Sequence, residues 1–524
     1  MDLPPDLKGY TALTPVATSP VDDHTMSWTG IDNLPVELLV EIFGYTSGIY
    51  GSFFGAHTSP YISKLHGMAQ VCRRWLEIIK DAAKLWTFVT DRTPAYASLA
   101  LKRSQSHTIN LSIASRPLDR LLYAAVLNHS HRWIRADIRL SRPNQEALHM
   151  LETVSAPMLR HLKLVVPSWN TNTVVTLDLF PDQPPKLASL ALIAVSIHRW
   201  NSPIFGCHLH SLVISRTYSS GPTREDLVGI FRACPTLENM DLSFITFPGE
   251  TSRSLAQGLP VQLPLLRTLL LSQISSNDLI DIARMAEIPR CRNYSVFRCR
   301  RKLRSVTLPA ITGQIQRPFE ACIASSRSLE VHLKNNCIHI ICRPIQSPSS
   351  DFNLKLSELL SCAKVIEWLN SILLVRRPPL SPLPIDVHLQ YSQPLRPPPS
   401  PSDLLRLSNV QSLTISDSSG FTTNQLVVAL STPRDLEDGS NGWMWPGLRE
   451  MNVEAFNDPM RSLFHMVKMR TEAALRQKEA KETSGVAILE RLEVGKDVFS
   501  AEEFEAVRTA LGHAVVMKPD RSEA

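Results

Sequence analysis

The sequence predicts an α/β protein in which a small helical domain precedes a long array of repeats, each with one strand and one helix. Two observations carry this prediction. A segment near the start is densely apolar at helical spacing, and one short apolar phrase recurs along most of the chain that follows. With 524 residues, of which 44% are hydrophobic, the chain can hold two or three domains and a sizeable core.

The apolar segment spans residues 32–86. A first helix is expected to begin near Pro35, because Asp32 or Asn33 can cap it and a proline in the first turn lacks only an N–H that would have no helical partner. Gly44 is expected to end this helix. A second helix is predicted near residues 71–81, where apolar residues again recur at helical spacing.

Both helices carry more apolar surface than one core-facing stripe needs. In the first, Leu34, Leu38 and Ile42 share one face, whereas Leu39 and Phe43 share another. A unit of about 55 residues cannot bury so much apolar surface within itself. Part of this surface should therefore face a partner.

Four short motifs in this segment stand in a specific order. They are Leu-Pro-Val-Glu-Leu-Leu at 34–39, Ile-Phe at 42–43, Val-Cys-Arg-Arg-Trp at 71–75 and Leu-Trp at 85–86. In this order they resemble an F-box, which implies a helical domain that binds a Skp-family adaptor and, through it, a cullin. The segment departs from the family at 48–66, which is longer than the usual connection. The alternative interpretation is a helical cap for the repeat array.

The resemblance also implies which side chains meet the adaptor. Carried over position by position, the adaptor-binding residues or their direct supports are Leu34, Pro35, Leu38, Ile42, Val71, Cys72, Trp75 and Trp86. Large side chains of this kind contribute most of the binding energy in protein interfaces.

The recurring phrase is Leu-x-x-Leu-x-Leu, first at Leu159-x-x-Leu162-x-Leu164. Further copies begin at residues 187, 209, 237, 266, 303, 410, 448 and 489. Alternating segments at 108–113 and 134–140, with a helix predicted at 118–127, extend the array back to about residue 95. Each unit is half-buried alone, so neighbouring units must stack to close the core.

This pattern resembles leucine-rich repeats, of the irregular kind that often follows an F-box in fungal proteins. The resemblance implies an irregular leucine-rich-repeat solenoid with one strand and one helix per repeat. The asparagine of the regular repeat is missing, so we expect uneven curvature. At the equivalent positions stand Pro167, Val195, Thr217, Ile245 and Ile274.

These patterns divide the chain into five parts. We expect a disordered tail at 1–30, an F-box-like helical domain at 31–90, the solenoid at 95–515 with insertions near 275–301 and 344–401, and a polar tail at 516–524. Within the second insertion, 354–374 is predicted to be a helix and 385–389 a strand.

Composition indicates a soluble intracellular protein, cytoplasmic or nuclear. The net charge of +6 is too small for this length to imply nucleic-acid or membrane binding, and no apolar stretch approaches 18 residues. No segment at 1–30 resembles a signal peptide. The nine cysteines are scattered without a Cys-x-x-Cys pair, which is typical of buried thiols in a reducing compartment.

No motif for catalysis, a cofactor or a metal is recognisable, so the protein is not expected to be an enzyme. The glycines at 44–55 lack the Lys-Ser or Lys-Thr of a phosphate-binding loop. Cys207-His208-x-His210 and Cys337-x-His339 with Cys342 offer ligand types, but neither has the second cluster that a four-ligand site needs. Ordinary buried cysteines explain both.

The basic run at 290–304 is the remaining candidate site. Its cations, interleaved with aromatic residues, could bind phosphate on RNA or on a phosphorylated protein, although a solvated loop is the favoured interpretation. The candidates for phosphate binding are Arg298, Arg300, Arg301 and Lys302.

The F-box resemblance implies a substrate-recognition subunit of an SCF-type (cullin-RING) ubiquitin ligase, in which the repeats hold an unidentified target protein. Two alternatives stay open. One is a repeat scaffold without a ligase role, and the other is an RNA-associated protein that uses the basic run at 290–304.

Overall fold

The computed structural model divides into two compact units, Met1–Ser220 and Gly221–Ala524. The described residues are 33–48, 59–91, 94–113, 120–139, 151–166, 175–180, 184–218, 221–247, 259–297, 307–334, 337–344, 351–357, 362–376, 383–391, 404, 407, 409–417, 421–435, 441–455, 461–480, 486–494, 502, 504, 505, 508, 509 and 515–517. They form a mixed α/β fold with a helical N-terminal region. The predicted tail at 1–30 lies outside them.

The first unit begins with helices and continues into a parallel sheet. Its helices are α1 (Val36–Ser47), α2 (Ser59–Ala69), α3 (Arg73–Asp81), a 3₁₀ turn (Ala83–Trp86), α4 (Pro94–Arg103) and α5 (Arg120–Leu127). Its strands are β1 (Phe88–Thr90), β2 (Ile109–Ile113), β3 (Trp133–Arg139), β4 (His161–Val165), β5 (Val175–Leu177), β6 (Ser189–Ile193), β7 (Val195–Ile197) and β8 (Ser211–Tyr218). The order β1-β2-β3-β4-β6-β8 is parallel throughout, and β5 pairs separately with β7.

The repeated phrase explains the register of this sheet. Leu162 lies beside Leu190, and Leu190 beside Leu212, so equivalent leucines of successive copies form one row. All three are buried. Side chains alternate between the two faces of a strand, so the second and third apolar residues of the phrase enter the core together. The sheet begins at Phe88 rather than near residue 95, since β1 already pairs with β2.

The second unit contains a longer sheet. Its helices are α6 (Arg224–Ala233), α7 (Ser276–Met285), α8 (Thr307–Ser325), α9 (Cys362–Arg376), α10 (Phe421–Ser431) and α11 (Arg461–Ala480). Its strands are β9 (Asn239–Ile245), β10 (Val261–Gln262), β11 (Thr268–Ser272), β12 (Ala286–Glu287), β13 (Asn293–Phe297), β14 (Ser326–Lys334), β15 (Cys337–Pro344), β16 (Phe352–Ser357), β17 (Ile385–Tyr391), β18 (Val410–Asp417), β19 (Arg434–Asp435), β20 (Asn441–Gly442), β21 (Glu450–Ala455), β22 (Arg491–Val494) and β23 (Val515–Met517).

The strand order of this sheet is β9-β11-β13-β16-β15-β14-β17-β18-β21-β22-β23. Pairs β14–β15 and β15–β16 are antiparallel, whereas the other pairs in this order are parallel. The chain therefore leaves the one-strand, one-helix pattern between residues 326 and 357 and then resumes it. The last strand reaches Met517, two residues beyond the predicted end at 515.

Residues 275–301, expected to be an insertion, supply helix α7 and strand β13 of the sheet. In β13, Tyr294 lies beside Leu269 and Val296 beside Leu271, in the same register as the copies of the phrase. Cys291, Tyr294 and Val296 are all buried. These residues fill the three apolar positions of the repeated phrase. The phrase was not recognised in the sequence because two of these positions hold cysteine and tyrosine instead of aliphatic residues.

The second expected insertion, 344–401, also contributes to the sheet. Phe352, Leu354 and Leu356 are fully buried at every second residue of β16, whereas a helix was predicted from 354. The helix α9 begins only at Cys362. The predicted strand at 385–389 is confirmed as part of β17. The phrase copy at 303 falls mostly outside the described residues, and its Leu308 lies in helix α8.

The described helices include none with the length and apolarity that a bilayer crossing requires. The free thiols include those of Cys72, Cys207, Cys234, Cys291, Cys322, Cys337 and Cys342. Burial raises the pKa of Cys291 to about 12 and that of Cys342 well above its ordinary value. Both buried thiols therefore stay protonated at neutral pH and pack as small apolar groups.

Candidate docking surface on the N-terminal helices

One face of helix α1 is packed against its neighbours. Leu39 and Phe43 are almost completely buried, and the Phe43 ring lies 4.7 Å from the ring of Trp75 on helix α3. An ion pair between Glu41 and Lys84 joins α1 to the 3₁₀ turn. This face therefore belongs to the core of the helical domain.

Helix α2 is the element that sequence reasoning missed. It begins at Ser59, inside the segment 48–66 that was interpreted as a connection longer than the usual one. Its Tyr61 and Leu65 are buried, and the Tyr61 hydroxyl donates a hydrogen bond to the carbonyl oxygen of Leu85. The domain consequently has three helices rather than two, and α2 supports the others from within.

A second face of α1 is apolar and exposed. Leu38 is 51% exposed, Ile42 38% and Tyr45 72%. These residues are spaced i, i+4 and i+7, so they form one stripe along the helix. We call Leu38, Ile42 and Tyr45 the α1 stripe. Leu38 and Ile42 belong to the apolar face of this helix that the sequence analysis expected to meet a partner.

Other exposed apolar residues lie nearby in the sequence. Val36 is 47% exposed and Val71 62%, and Pro35 is also exposed. Five of the twelve exposed large apolar side chains in the described part of the chain belong to residues 36–71. This concentration in one small domain favours a docking role over random surface composition.

Of the remaining predicted adaptor-binding residues, Leu34, Cys72 and Trp75 are half-buried and Trp86 is buried. The Leu34 carbonyl accepts a hydrogen bond of 2.8 Å from Arg74, and Cys72 Sγ accepts one of 3.5 Å from the backbone N–H of Trp75 at the start of α3. Trp86 is 7% exposed and donates through Nε1 to the carbonyl of Ile79 at 2.6 Å. These groups help to hold the helices in place, and the exposed Val36 and Tyr45 are not among the predicted residues. Tyr45 could have been found from its spacing of seven residues from Leu38.

The ends of helix α1 differ from the prediction. Pro35 is the N-cap residue and makes no side-chain capping bond, and Asp32 lies outside the described residues. Gly44 is a buried residue within the helix, which continues to Ser47. Gly48 ends the helix in the left-handed region, with φ of 86°, and its N–H reaches the carbonyls of Gly44 and Tyr45. Glycine is favoured there because it has no Cβ to clash.

Replacing Gly48 with alanine is expected to lower the free energy of unfolding by about 1 kcal/mol, because an L side chain is strained at this φ. Gly67 within helix α2 is the matched control. A Cβ at Gly67 meets no atom within 4 Å. Gly67→Ala should therefore stabilise the chain slightly, by about 0.5–1 kcal/mol. Urea unfolding monitored by circular dichroism compares the two variants. Equal changes in the free energy of unfolding would contradict the left-handed conformation of Gly48.

The predicted phosphate-binding residues Arg298, Arg300, Arg301 and Lys302 lie outside the described residues. The described start of the basic run, Arg290 and Arg292, instead lines a cavity of about 640 Å³ together with Arg267. No lining residue among those described is acidic. The cavity therefore has a positive lining beside strand β13.

The comparisons with known proteins bear on the helical domain. The family model described as F-box-like matches residues 31–92, which contain the four motifs, helices α1–α3 and strand β1. No curated protein matches the chain. The chain thus contains an F-box-like domain whose exposed apolar side chains suit a role in protein interaction.

Proposed function

We propose that the protein is a substrate-recognition subunit of an SCF-type (cullin-RING) ubiquitin ligase. In this proposal the F-box-like domain binds a Skp-family adaptor, and the strand array holds the target protein. The exposed α1 stripe on the domain that matches the F-box-like family carries the proposal. F-box domains generally bind adaptors of this type.

The α1 stripe is suited to be the centre of the adaptor interface. Leu38, Ile42 and Tyr45 stand on a helix that Leu39 and Phe43 anchor in the domain core, so their positions are set before binding. A preformed apolar surface loses little side-chain entropy when a partner covers it. The proposed contact surface also includes the exposed Pro35, Val36 and Val71. It rests on helices that are held in place by Cys72, Trp75 and Trp86.

Each of the two strand arrays is proposed to consist of irregular leucine-rich repeats that recognise the target. In both units the apolar rows of successive strands are in register and buried, while the alternate side chains point to the other face of the sheet. An extended sheet face with varied polar side chains is the kind of surface on which repeat proteins bind other proteins.

Under this proposal the protein does no chemistry of its own. It raises the effective concentration of the target near the ubiquitin-transferring enzyme, which is a positioning role. It would act in the cytoplasm, the nucleus or both, where a cullin-based ligase meets its targets.

Charged substitution of the α1 stripe tests the adaptor interface. Leu38→Glu combined with Ile42→Glu should weaken binding of a purified Skp-family adaptor at least about 100-fold, because central interface residues each contribute about 2 kcal/mol or more. Isothermal titration calorimetry on the full chain measures this change. Leu38 is 51% exposed and Ile42 38%, so the unfolding midpoint should change much less than adaptor binding does.

Leu475→Glu is the matched control, since Leu475 is a leucine on helix α11 that is 47% exposed, close to the value for Leu38. It should leave adaptor binding unchanged. A wild-type chain that binds no Skp-family adaptor would contradict the ligase proposal and leave the repeat scaffold. RNA binding that weakens steeply with salt would instead favour the RNA-associated alternative.

A further inference from the structure

Three histidines form a row across neighbouring strands of the second unit. His332 on β14 lies opposite His339 on β15 and beside His388 on β17. The rings of His332 and His388 are stacked, with centroids 4.3 Å apart and planes at 9°. The His339 ring lies 5.6 Å from that of His332. All three side chains are half-buried on the sheet face opposite the apolar rows.

A carboxylate completes a cluster on this face. Glu330 lies two residues before His332 on β14, so both side chains point to the same side of the sheet. Glu330 Oε2 is 3.3 Å from His332 Nε2. One potential ligand atom from each of Glu330, His332 and His388 lies within 4.8 Å of the other two.

This geometry is close to that of a metal-binding site. Zinc binds nitrogen and oxygen ligands at about 2.0–2.2 Å in a tetrahedral arrangement, which separates neighbouring ligand atoms by about 3.4 Å. The Glu330–His332 separation already has this value, and the other separations need to shorten by no more than about 1.4 Å. Small side-chain rotations on a rigid sheet supply such a movement.

Arg343 orients the carboxylate. Its Nε donates to Glu330 Oε1 at 2.6 Å, while Oε2 faces His332. Outer partners that orient a ligand in this way are characteristic of metal sites in proteins.

We propose that Glu330, His332 and His388 bind a divalent transition-metal ion of the zinc type, with a fourth position open to water or to a partner's side chain. The contact between Glu330 and His332 supplies two of the three ligands, and the His388 ring stacked on His332 supplies the third. The bound ion would join β14 to β17, the strand pair at which parallel pairing resumes next to the antiparallel strands β14–β16. It would therefore stabilise the sheet at the strand where the pairing changes from antiparallel to parallel.

Titration of the full chain with ZnCl₂ tests this proposal. After treatment with EDTA and dialysis, the wild-type chain should bind one more equivalent of Zn²⁺ than His388→Gln or His332→Gln, as measured by calorimetry. His339→Gln is the matched control, because His339 belongs to the same row but not to the cluster, and it should bind as the wild type does. Arg343→Gln should weaken the site about 10- to 100-fold.

Two further readouts do not depend on the ligand variants. Co²⁺ added to the wild type should give the visible absorption of a tetrahedral site, and Zn²⁺ should raise the unfolding temperature reversibly with EDTA. Absence of the Co²⁺ absorption, or equal Zn²⁺ stoichiometry and affinity in the wild type and both ligand variants, would overturn the proposal. Loss of Zn²⁺ in His339→Gln but not in His388→Gln would also overturn it.

The metal site stands independently of the ligase proposal. Adaptor binding through the α1 stripe can fail while Zn²⁺ binds, and the reverse can occur. The two experiments use different residues, different ligands and separate controls.

Discussion

Arg470→Ala is expected to lower the free energy of unfolding by about 3–5 kcal/mol. Arg470 lies on helix α11 with only 1% of its surface exposed. It donates hydrogen bonds to the carbonyls of Met444 and Trp445, at 2.9 and 2.7 Å. Alanine would leave two carbonyl oxygens without these donors and create a cavity beside them. Each unsatisfied buried group costs about 1–3 kcal/mol, and the cavity adds to that loss.

Burial of the Arg470 guanidinium also affects its ionisation. Burial lowers its pKa to about 10, so the group remains charged at neutral pH. In the described part of the chain no carboxylate pairs with it, and its guanidinium carbon lies 5.8 Å from the centre of the Trp443 ring. The two carbonyls and the aromatic face therefore replace the water that a charged group would otherwise bind.

The matched control for Arg470 is Arg476 on the same helix. The Arg476 side chain is 78% exposed and forms a surface ion pair with Glu472 at 3.4 Å. Arg476→Ala should change the free energy of unfolding by less than about 0.5 kcal/mol. Arg470→Met restores volume but no donors, so its loss should be intermediate. Urea unfolding followed by circular dichroism ranks the three, and equal losses for Arg470→Ala and Arg476→Ala would refute the expected role.

Phe319→Ala is expected to destabilise the second unit by about 3–5 kcal/mol, the usual range for removing a buried phenylalanine ring. Phe319 on helix α8 is fully buried. Its ring lies 5.1 Å from that of Phe352 on β16 and 5.0 Å from that of Trp368 on α9. The ring therefore connects α8, β16 and α9. Its loss would leave a cavity that these close-packed elements cannot easily fill.

Two substitutions separate ring packing from a general effect on helix α8. Phe319→Leu keeps an apolar group and should cost less than Phe319→Ala. Gln316 is exposed one turn earlier, so Gln316→Ala should cost less than about 0.5 kcal/mol. Thermal unfolding of the full chain provides the comparison. A Phe319→Ala variant as stable as Gln316→Ala would show that the aromatic cluster is not part of the core.

The parallel strands could be predicted from the sequence where the repeated phrase was intact. Leu162, Leu190 and Leu212 stand at equivalent positions of their copies, and all three are buried in one row of the sheet. The signal is local, because alternation between core and surface is a property of a single strand. The F-box-like domain was predicted for a similar reason, from short motifs that the family match at 31–92 confirms.

The missed elements lack such a local signal. Tyr294 in strand β13 and Cys291 just before it stand where the other copies have leucine or a similar residue, so this copy of the phrase was not recognised. Helix α2 lies in a stretch of mixed composition and is stabilised by the burial of Tyr61 and Leu65. In both cases packing against neighbouring elements, rather than intrinsic preference, decides the structure.

The sequence by itself determined which side chains of the repeated phrase turn inward and which motifs mark the N-terminal helical domain, because both depend on spacing along the chain. Only the tertiary structure decided that Leu38 is exposed while Trp86 is buried, and that β16 follows β13 in the sheet. It also brought His388 beside His332. Contacts between distant segments depend on which surfaces remain to be covered once each element has formed, and local periodicity carries no information about that choice.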